Sequence, residues 1–341
     1  MVNRRIFFVH PPDGPVTPAC YDVRDEPVPE PQDGDVLVRN IYLSCDPYMR
    51  GRMGGTANYP GAKTFALDEV IPARVVGQVA VSRNPNFKEG DFVWGFLGWE
   101  LYSLAKGGGD LRAIDPSLGP ISHAITVIGM PGLTARVGIL DIGKPTPGET
   151  AFISAASGAV GSVAGQIAKL EGCRVVGSAG SDRKVRHIVD VLGFDAAFNY
   201  RTVSSIGAAL DEHCPNGIDI YFENVGGETL EAVLDRINQG ARIPVCGQIS
   251  QYDKSERSAP RNIDNVKAKG AVMRKFSIYD HMDQYDDFLP WISERVADRR
   301  IVYFEDIVDG IDTVVDAFIG MMNGENLGKR LVRVSEDPTL A

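Results

Sequence analysis

Glu149-Thr-Ala-Phe-Ile-Ser-Ala-Ala-Ser-Gly-Ala-Val-Gly161 decides the fold. Glu149 to Ser154 reads as a short apolar strand, and Val160 to Leu170 reads as a helix. Between them lies a glycine-bearing turn, Ala156-Ser-Gly158-Ala-Val-Gly161. That is the strand–turn–helix fingerprint G-x-G-x-x-G with Ala156 in the first glycine position, Ala159 and Val160 filling the gap before the last. Gly158 removes the Cβ that would block a pyrophosphate. Gly161 lets the helix pack close to the strand, and the helix N-terminus offers N–H donors to the phosphates.

Downstream the same rhythm repeats. Strands are expected at Arg174–Ser178, Ala196–Tyr200, Ile218–Phe222 and Arg242–Cys246. Helices are expected at Asp182–Leu192, Val203–His213 and Glu228–Asn238. Five apolar strands alternating with helices specify a doubly wound parallel sheet covered on both faces. Upstream the chain reads differently: Asp35–Tyr42, Arg74–Val81 and Asp91–Phe96 are strand-like pieces between Gly, Pro and Asp turns, with no long amphipathic helix. From about Ile301 short strands return with a helix near Asp316–Met322. The expected organisation is a β-rich catalytic domain over residues 1–125, completed by 301–341, and a dinucleotide-binding Rossmann domain over 126–300.

The 341 residues suit about two domains. A net charge of -10 argues against nucleic acid or an anionic membrane surface as partner. No apolar run approaches the roughly 18 residues that span a bilayer. The apolar core of the first ten residues is too short for an export signal and is followed by Pro11-Pro12, so a first β-strand and a cytoplasmic location are expected. Five cysteines without CxxC spacing suggest free thiols.

Cofactor choice is read at the end of the second strand, Val176-Gly-Ser-Ala-Gly-Ser181. NAD sites carry an acid there for the ribose 2′-OH; this stretch has none, and Lys184 follows one turn into the helix. Lys184 and the Ser181 hydroxyl can hold a 2′-phosphate, which favours NADPH. Ser181 as a simple helix cap and Lys184 as solvated surface is the plainer alternative. Asp182, at the first helical position, serves the helix dipole.

Tyr42-Leu-Ser-Cys-Asp-Pro-Tyr-Met-Arg50, Gly129-Met-Pro-Gly-Leu-Thr134, Ala155–Gly161, Gly177–Lys184, Asp219-Ile-Tyr-Phe-Glu-Asn-Val-Gly-Gly227, Cys246–Tyr252 and Asn326-Leu-Gly-Lys329 occur in that order along nearly the whole chain. Together they resemble the medium-chain dehydrogenase/reductase superfamily, and within it the zinc-free leukotriene B4 dehydrogenase/prostaglandin reductase group, which includes plant double-bond reductases and bacterial curcumin reductases. The resemblance implies a GroES-like catalytic domain, a Rossmann domain, NADPH and a homodimer. It implies that Lys184 and Tyr200 sit at the 2′-phosphate and that Thr134 and Asn224 line the cofactor groove. Cys246, Gly247, Gln248, Ile249, Ser250, Gln251 and Tyr252 would run along the pyrophosphate and nicotinamide ribose. Phe276, Ser277, Ile278 and Asn326 would lie near the nicotinamide, with Tyr48 and Tyr279 facing the substrate.

Zinc-dependent relatives need three protein ligands. Cys45 falls near their catalytic cysteine, yet Arg74-Val-Val-Gly77 supplies no ligand and the histidines are scattered, so Cys45 reads as a packing residue. Without a Lewis acid for a carbonyl, the expected chemistry is hydride addition to the β-carbon of an α,β-unsaturated ketone or aldehyde, the developing enolate held by a donor such as Tyr48. A half-buried, purely structural Tyr48 is the alternative. A zinc-free quinone oxidoreductase and a non-catalytic NADPH-binding protein are the rival functions.

Overall fold

The computed structural model describes residues 1–54, 63–254 and 259–340. Contacts divide it into two compact units, one of Met1–Thr126 with Glu305–Ala341 and one of Val127–Phe304.

The first unit opens with β1 (Val2–Phe8) and β2 (Tyr21–Pro27), paired antiparallel. β3 (Val36–Ser44) is buried almost throughout and runs into the short helix α1 (Tyr48–Met53). β4 (Glu69–Val70), β5 (Pro72–Ser82), β6 (Phe92–Gly98), β7 (Tyr102–Ala105) and β8 (Arg112–Ala113) follow. The expected β-rich character is met, and Phe7 and Phe8 of the N-terminal strand are buried.

The second unit begins with α2 (Met130–Arg136), whose last turn widens into a π-helical stretch, Val137–Gly143. Strands β9 (Thr150–Ile153), β10 (Arg174–Ala179), β11 (Ala196–Asn199), β12 (Ile218–Phe222), β13 (Ile237–Val245) and β14 (Val272–Lys275) form one sheet in the order β11-β10-β9-β12-β13-β14. Every pairing is parallel. Helices α3 (Gly161–Leu170), α4 (Asp182–Asp190), α5 (Ile206–His213), α6 (Gly227–Leu234), α7 (Asp264–Ala268) and α8 (Tyr285–Ala297) complete it. This is the doubly wound sheet expected, with two corrections. It has a sixth strand, β14, and the helix expected to reach Asn238 stops at Leu234, because Ile237 already pairs with Ile218 in the sheet.

The chain then returns to the first unit with β15 (Glu305–Asp309), α9 (Val314–Met322) and β16 (Lys329–Arg333). β16 pairs antiparallel with β3, so the last strand is laid beside the strand that leads to Tyr48. The seven-stranded sheet runs β15-β16-β3-β5-β6-β8, with β7 also on β3. Trp99, Met49, Cys45 and Phe318 belong to its core. Among the described residues no helix is long and apolar enough to cross a membrane.

Candidate functional site

Strand order reverses between β9 and β12, so the carboxyl ends of these neighbours flank a topological switch point, where open α/β sheets bind ligands. Ala155 leaves β9 with φ 49°, a left-handed conformation uncommon for a residue with a side chain. The turn is tied down by Ala156 N–H to the Ser178 carbonyl at 3.0 Å and Gly158 N–H to the Ala155 carbonyl at 3.0 Å. A Cβ on Gly161 would lie 2.5 Å from the Ala155 oxygen, so only glycine fits there. A Cβ on Gly158 would meet nothing but that oxygen, at 3.2 Å, leaving its outer side open. α3 has no side-chain cap and no acid in its first turn. A helix start of that kind, opening on a bare backbone, fits a pyrophosphate.

At the end of β10, Ser181 caps α4 by accepting the Lys184 N–H at 3.4 Å. The plainer reading of Ser181 therefore holds, though its own hydroxyl hydrogen can still serve a phosphate. Asp182 accepts from Asn199 Nδ2 at 2.7 Å, which turns its carboxylate to the neighbouring strand end. Gly180 is hemmed in: a Cβ there would lie 2.7 Å from the Tyr200 hydroxyl and 3.2 Å from Arg201 Nε. The Arg201 guanidinium sits 5.9 Å from the Tyr200 ring centre. Half-buried Lys184 and exposed Tyr200 and Arg201 thus mark an electropositive strand end. Arg201 is a residue that sequence reasoning missed; its signal was a base directly after Tyr200.

At the switch point Asn224 donates from Nδ2 to the Ser154 carbonyl at 2.8 Å and from its backbone N–H to Ser154 Oγ at 3.0 Å, riveting β9 to β12. The segment after β13 folds over this rivet. Cys246 and Gly247 N–H groups donate to the Glu223 carbonyl at 2.9 and 3.1 Å. Ser250 Oγ donates to the Val225 carbonyl at 2.6 Å, and Gln248 N–H reaches the Tyr252 hydroxyl at 3.4 Å. Ile249–Gln251 is a single 3-10 turn and Tyr252 is buried. Ala156, Gly158, Ser181, Lys184, Tyr200, Asn224 and Cys246–Tyr252 therefore share the carboxyl edge of one parallel sheet.

Five sequence candidates of this unit sit otherwise. The Thr134 hydroxyl donates to the Met130 carbonyl of its own helix at 2.7 Å. Phe276, after β14, is half-buried and would lie 3.2 Å from a Cβ on Gly138. Ser277 and Ile278 follow into a 3-10 segment, Ile278–Gln284, on which Tyr279 is 41% exposed.

In the first unit Tyr48 begins α1, half-buried against the core around Cys45 and Met49. The turn before it is held by Lys329, 4% exposed, which donates to the Cys45 carbonyl at 2.6 Å and pairs with Asp46 at 3.2 Å. Asn326 donates to the Gly328 carbonyl at 2.7 Å, shaping the turn into β16. Burial pushes the Cys45 thiol up to about 12, which opposes the thiolate a metal requires. Among the described residues no three His, Cys, Asp or Glu side chains are grouped to hold a metal ion. All five cysteines are free, four of them buried and Cys246 half-buried.

Two family models match, an N-terminal domain of oxidoreductase over residues 4–113 and a zinc-binding dehydrogenase over residues 159–294. The chain is 42% identical to a 2-alkenal reductase (NADP(+)-dependent) of Nicotiana tabacum, over 91% of this chain and 90% of that one. It is 39% identical to an NADPH-dependent curcumin reductase of Escherichia coli, over 98% of both. The crystal structure of CurA in complex with NADPH from Vibrio vulnificus superposes with a TM-score of 0.92 at 38% identity, covering 98% of this chain and 100% of that one. The chain belongs to the medium-chain dehydrogenase/reductase superfamily, in the group of curcumin, alkenal and prostaglandin reductases.

Proposed function

We propose that the protein reduces the carbon–carbon double bond of α,β-unsaturated ketones and aldehydes with NADPH, acting without zinc as a cytoplasmic homodimer. The observation that carries this reading is the end-to-end match, at 39–42% identity, to enzymes named for reducing alkenals and curcumin.

NADPH, when bound, supplies the hydride. Lys184 and Tyr200 receive the 2′-phosphate, and the α3 N-terminus and the Gly158 backbone take the pyrophosphate. A charge-assisted bond from Lys184 is worth roughly 1.5–3 kcal/mol. Asn224, the Cys246–Tyr252 segment, Thr134, Phe276–Ile278 and Asn326 line the remainder of the cofactor. Tyr48 donates a hydrogen bond to the substrate oxygen as negative charge develops on it. A phenol is neutral at pH 7, so it can donate without releasing its proton, and the α-carbon proton comes from solvent. Exposed Tyr279 contributes to the mouth of the substrate pocket. The exposed edge strand β14, with Val272 54% exposed, supports pairing with a second copy of the chain.

A panel of enones, enals and quinones tests the reading by NADPH oxidation. Turnover of enones and enals to saturated carbonyls is expected. Turnover confined to quinones would replace this function with a quinone reductase.

A further inference from the structure

Glu223, the residue directly after β12, is fully buried at the switch point, and its two carboxyl oxygens are unequal. Oε1 accepts from the Val225 N–H at 2.6 Å, the Gly226 N–H at 2.9 Å and the Tyr221 hydroxyl at 2.8 Å. Oε2 accepts nothing among the described residues. A carboxyl group so placed gains no solvation, and a structural acid with half its acceptors idle needs a reason.

The reason lies in what it shapes. Gly226 and Gly227 take φ 77° and 56°, a pair of left-handed residues open only to glycine at low cost. Their missing Cβ atoms would fall 3.0 Å from Gln248 Cβ and 3.1 Å from Ser250 Oγ. The Glu223 side chain thus bends the 224–227 turn into the 246–251 segment, while its backbone carbonyl holds the N–H groups of Cys246 and Gly247. One residue sets both loops that border the crevice beside β9.

We propose that Glu223 is a positioning residue for the nicotinamide-side half of the NADPH site, acting through the Asn224–Gly227 turn and the Cys246–Gln251 segment. The inference rests on the cofactor placement above and adds a residue that placement does not use. Glu223 does not touch the cofactor; it fixes the backbone that does.

Its surroundings make the role readable by pH. The groups facing it are the Ser154 hydroxyl just after β9, the Tyr221 phenol from β12 and the Cys246 thiol after β13, the last two raised by burial. Among the described residues no lysine, arginine or histidine pairs with it. Burial pushes Glu223 up to about 7 against its three hydrogen-bond donors, so near neutrality it passes from a neutral acid to an anion without a cationic partner. An anion there repels the cofactor's pyrophosphate.

The experiment measures dissociation constants of NADPH and of 2′,5′-ADP, which carries only the adenosine half, for wild type, Glu223→Ala and Glu223→Gln. Glu223→Ala should weaken NADPH at least tenfold and 2′,5′-ADP less than twofold. Glu223→Gln keeps the acceptor for the two N–H groups and should stay within threefold of wild type. Wild-type NADPH affinity should fall from pH 6 to pH 8 more steeply than that of Glu223→Gln, which also decides the matter if Glu223→Ala does not fold. Equal weakening of both ligands, or identical pH profiles for wild type and Glu223→Gln, overturns the inference. Failure of 2′,5′-ADP to compete with NADPH on wild type overturns the cofactor placement itself.

Discussion

The Lys329 ammonium donates to the Cys45 carbonyl at 2.6 Å, across 284 residues of chain. The same ammonium pairs with Asp46, two residues before Tyr48. The last strand of the protein thereby fixes the turn from which the candidate substrate tyrosine departs. Removing one partner of a buried pair leaves the other uncompensated, at a cost of about 3 kcal/mol. Lys329→Met should therefore lower stability by about that amount in urea unfolding. A change below about 1 kcal/mol would show that the pair holds nothing.

Lys184→Ala separates the two cofactors. Losing a charge-assisted contact to the 2′-phosphate should raise the KM for NADPH about ten- to a hundredfold. NADH has no such phosphate, so its KM should hardly move. Equal effects on both would remove Lys184 from the site.

Gly161→Ala tests the turn itself. The new methyl would arrive 2.5 Å from the Ala155 oxygen, closer than any carbon and oxygen settle. The turn must shift, at roughly 1–3 kcal/mol, and NADPH affinity should drop at least tenfold by titration. Unchanged affinity in the folded variant would place the pyrophosphate elsewhere.

Glu223 also predicts a pH dependence of stability. Its carboxyl titrates at an ordinary 4.5 when unfolded and at about 7 when folded. Below 4.5 both states hold the proton. As pH rises toward 7 the unfolded state loses it first, so the group's contribution, on the order of 3 kcal/mol, is progressively lost. Glu223→Gln has no such proton, and its Tm relative to wild type should increase between pH 5 and pH 8. A constant difference would mean that Glu223 is ionised throughout.

Much of this was legible in the sequence because β9, β10 and β12 are mostly apolar runs and a parallel sheet buried on both faces demands them. β14 was not: Val-Met-Arg-Lys lies at the sheet edge with three exposed residues, so its composition resembles a loop. The early end of α6 was hidden too, since Ile237 fits a helix face as well as a strand. Among site residues, the spacing around Gly158 and the missing acid near Ser181 were readable. Asp182 reads from the sequence only as an acid serving the helix dipole, and the Asn199 bond shows where its charge goes. Glu223 and Lys329 were quoted only as motif letters, because burial of a charged side chain is a tertiary fact that no local pattern announces.

The central claim is reduction of the alkene, and isotope transfer tests it most directly. With an enone and NADPH deuterated at the transferred position, the label should appear on the β-carbon of a saturated ketone. Tyr48→Phe, which removes one donor to the developing oxyanion, should lower turnover on the order of a hundredfold while NADPH affinity stays the same. Label on the carbonyl carbon, with an allylic alcohol as product, would contradict the account.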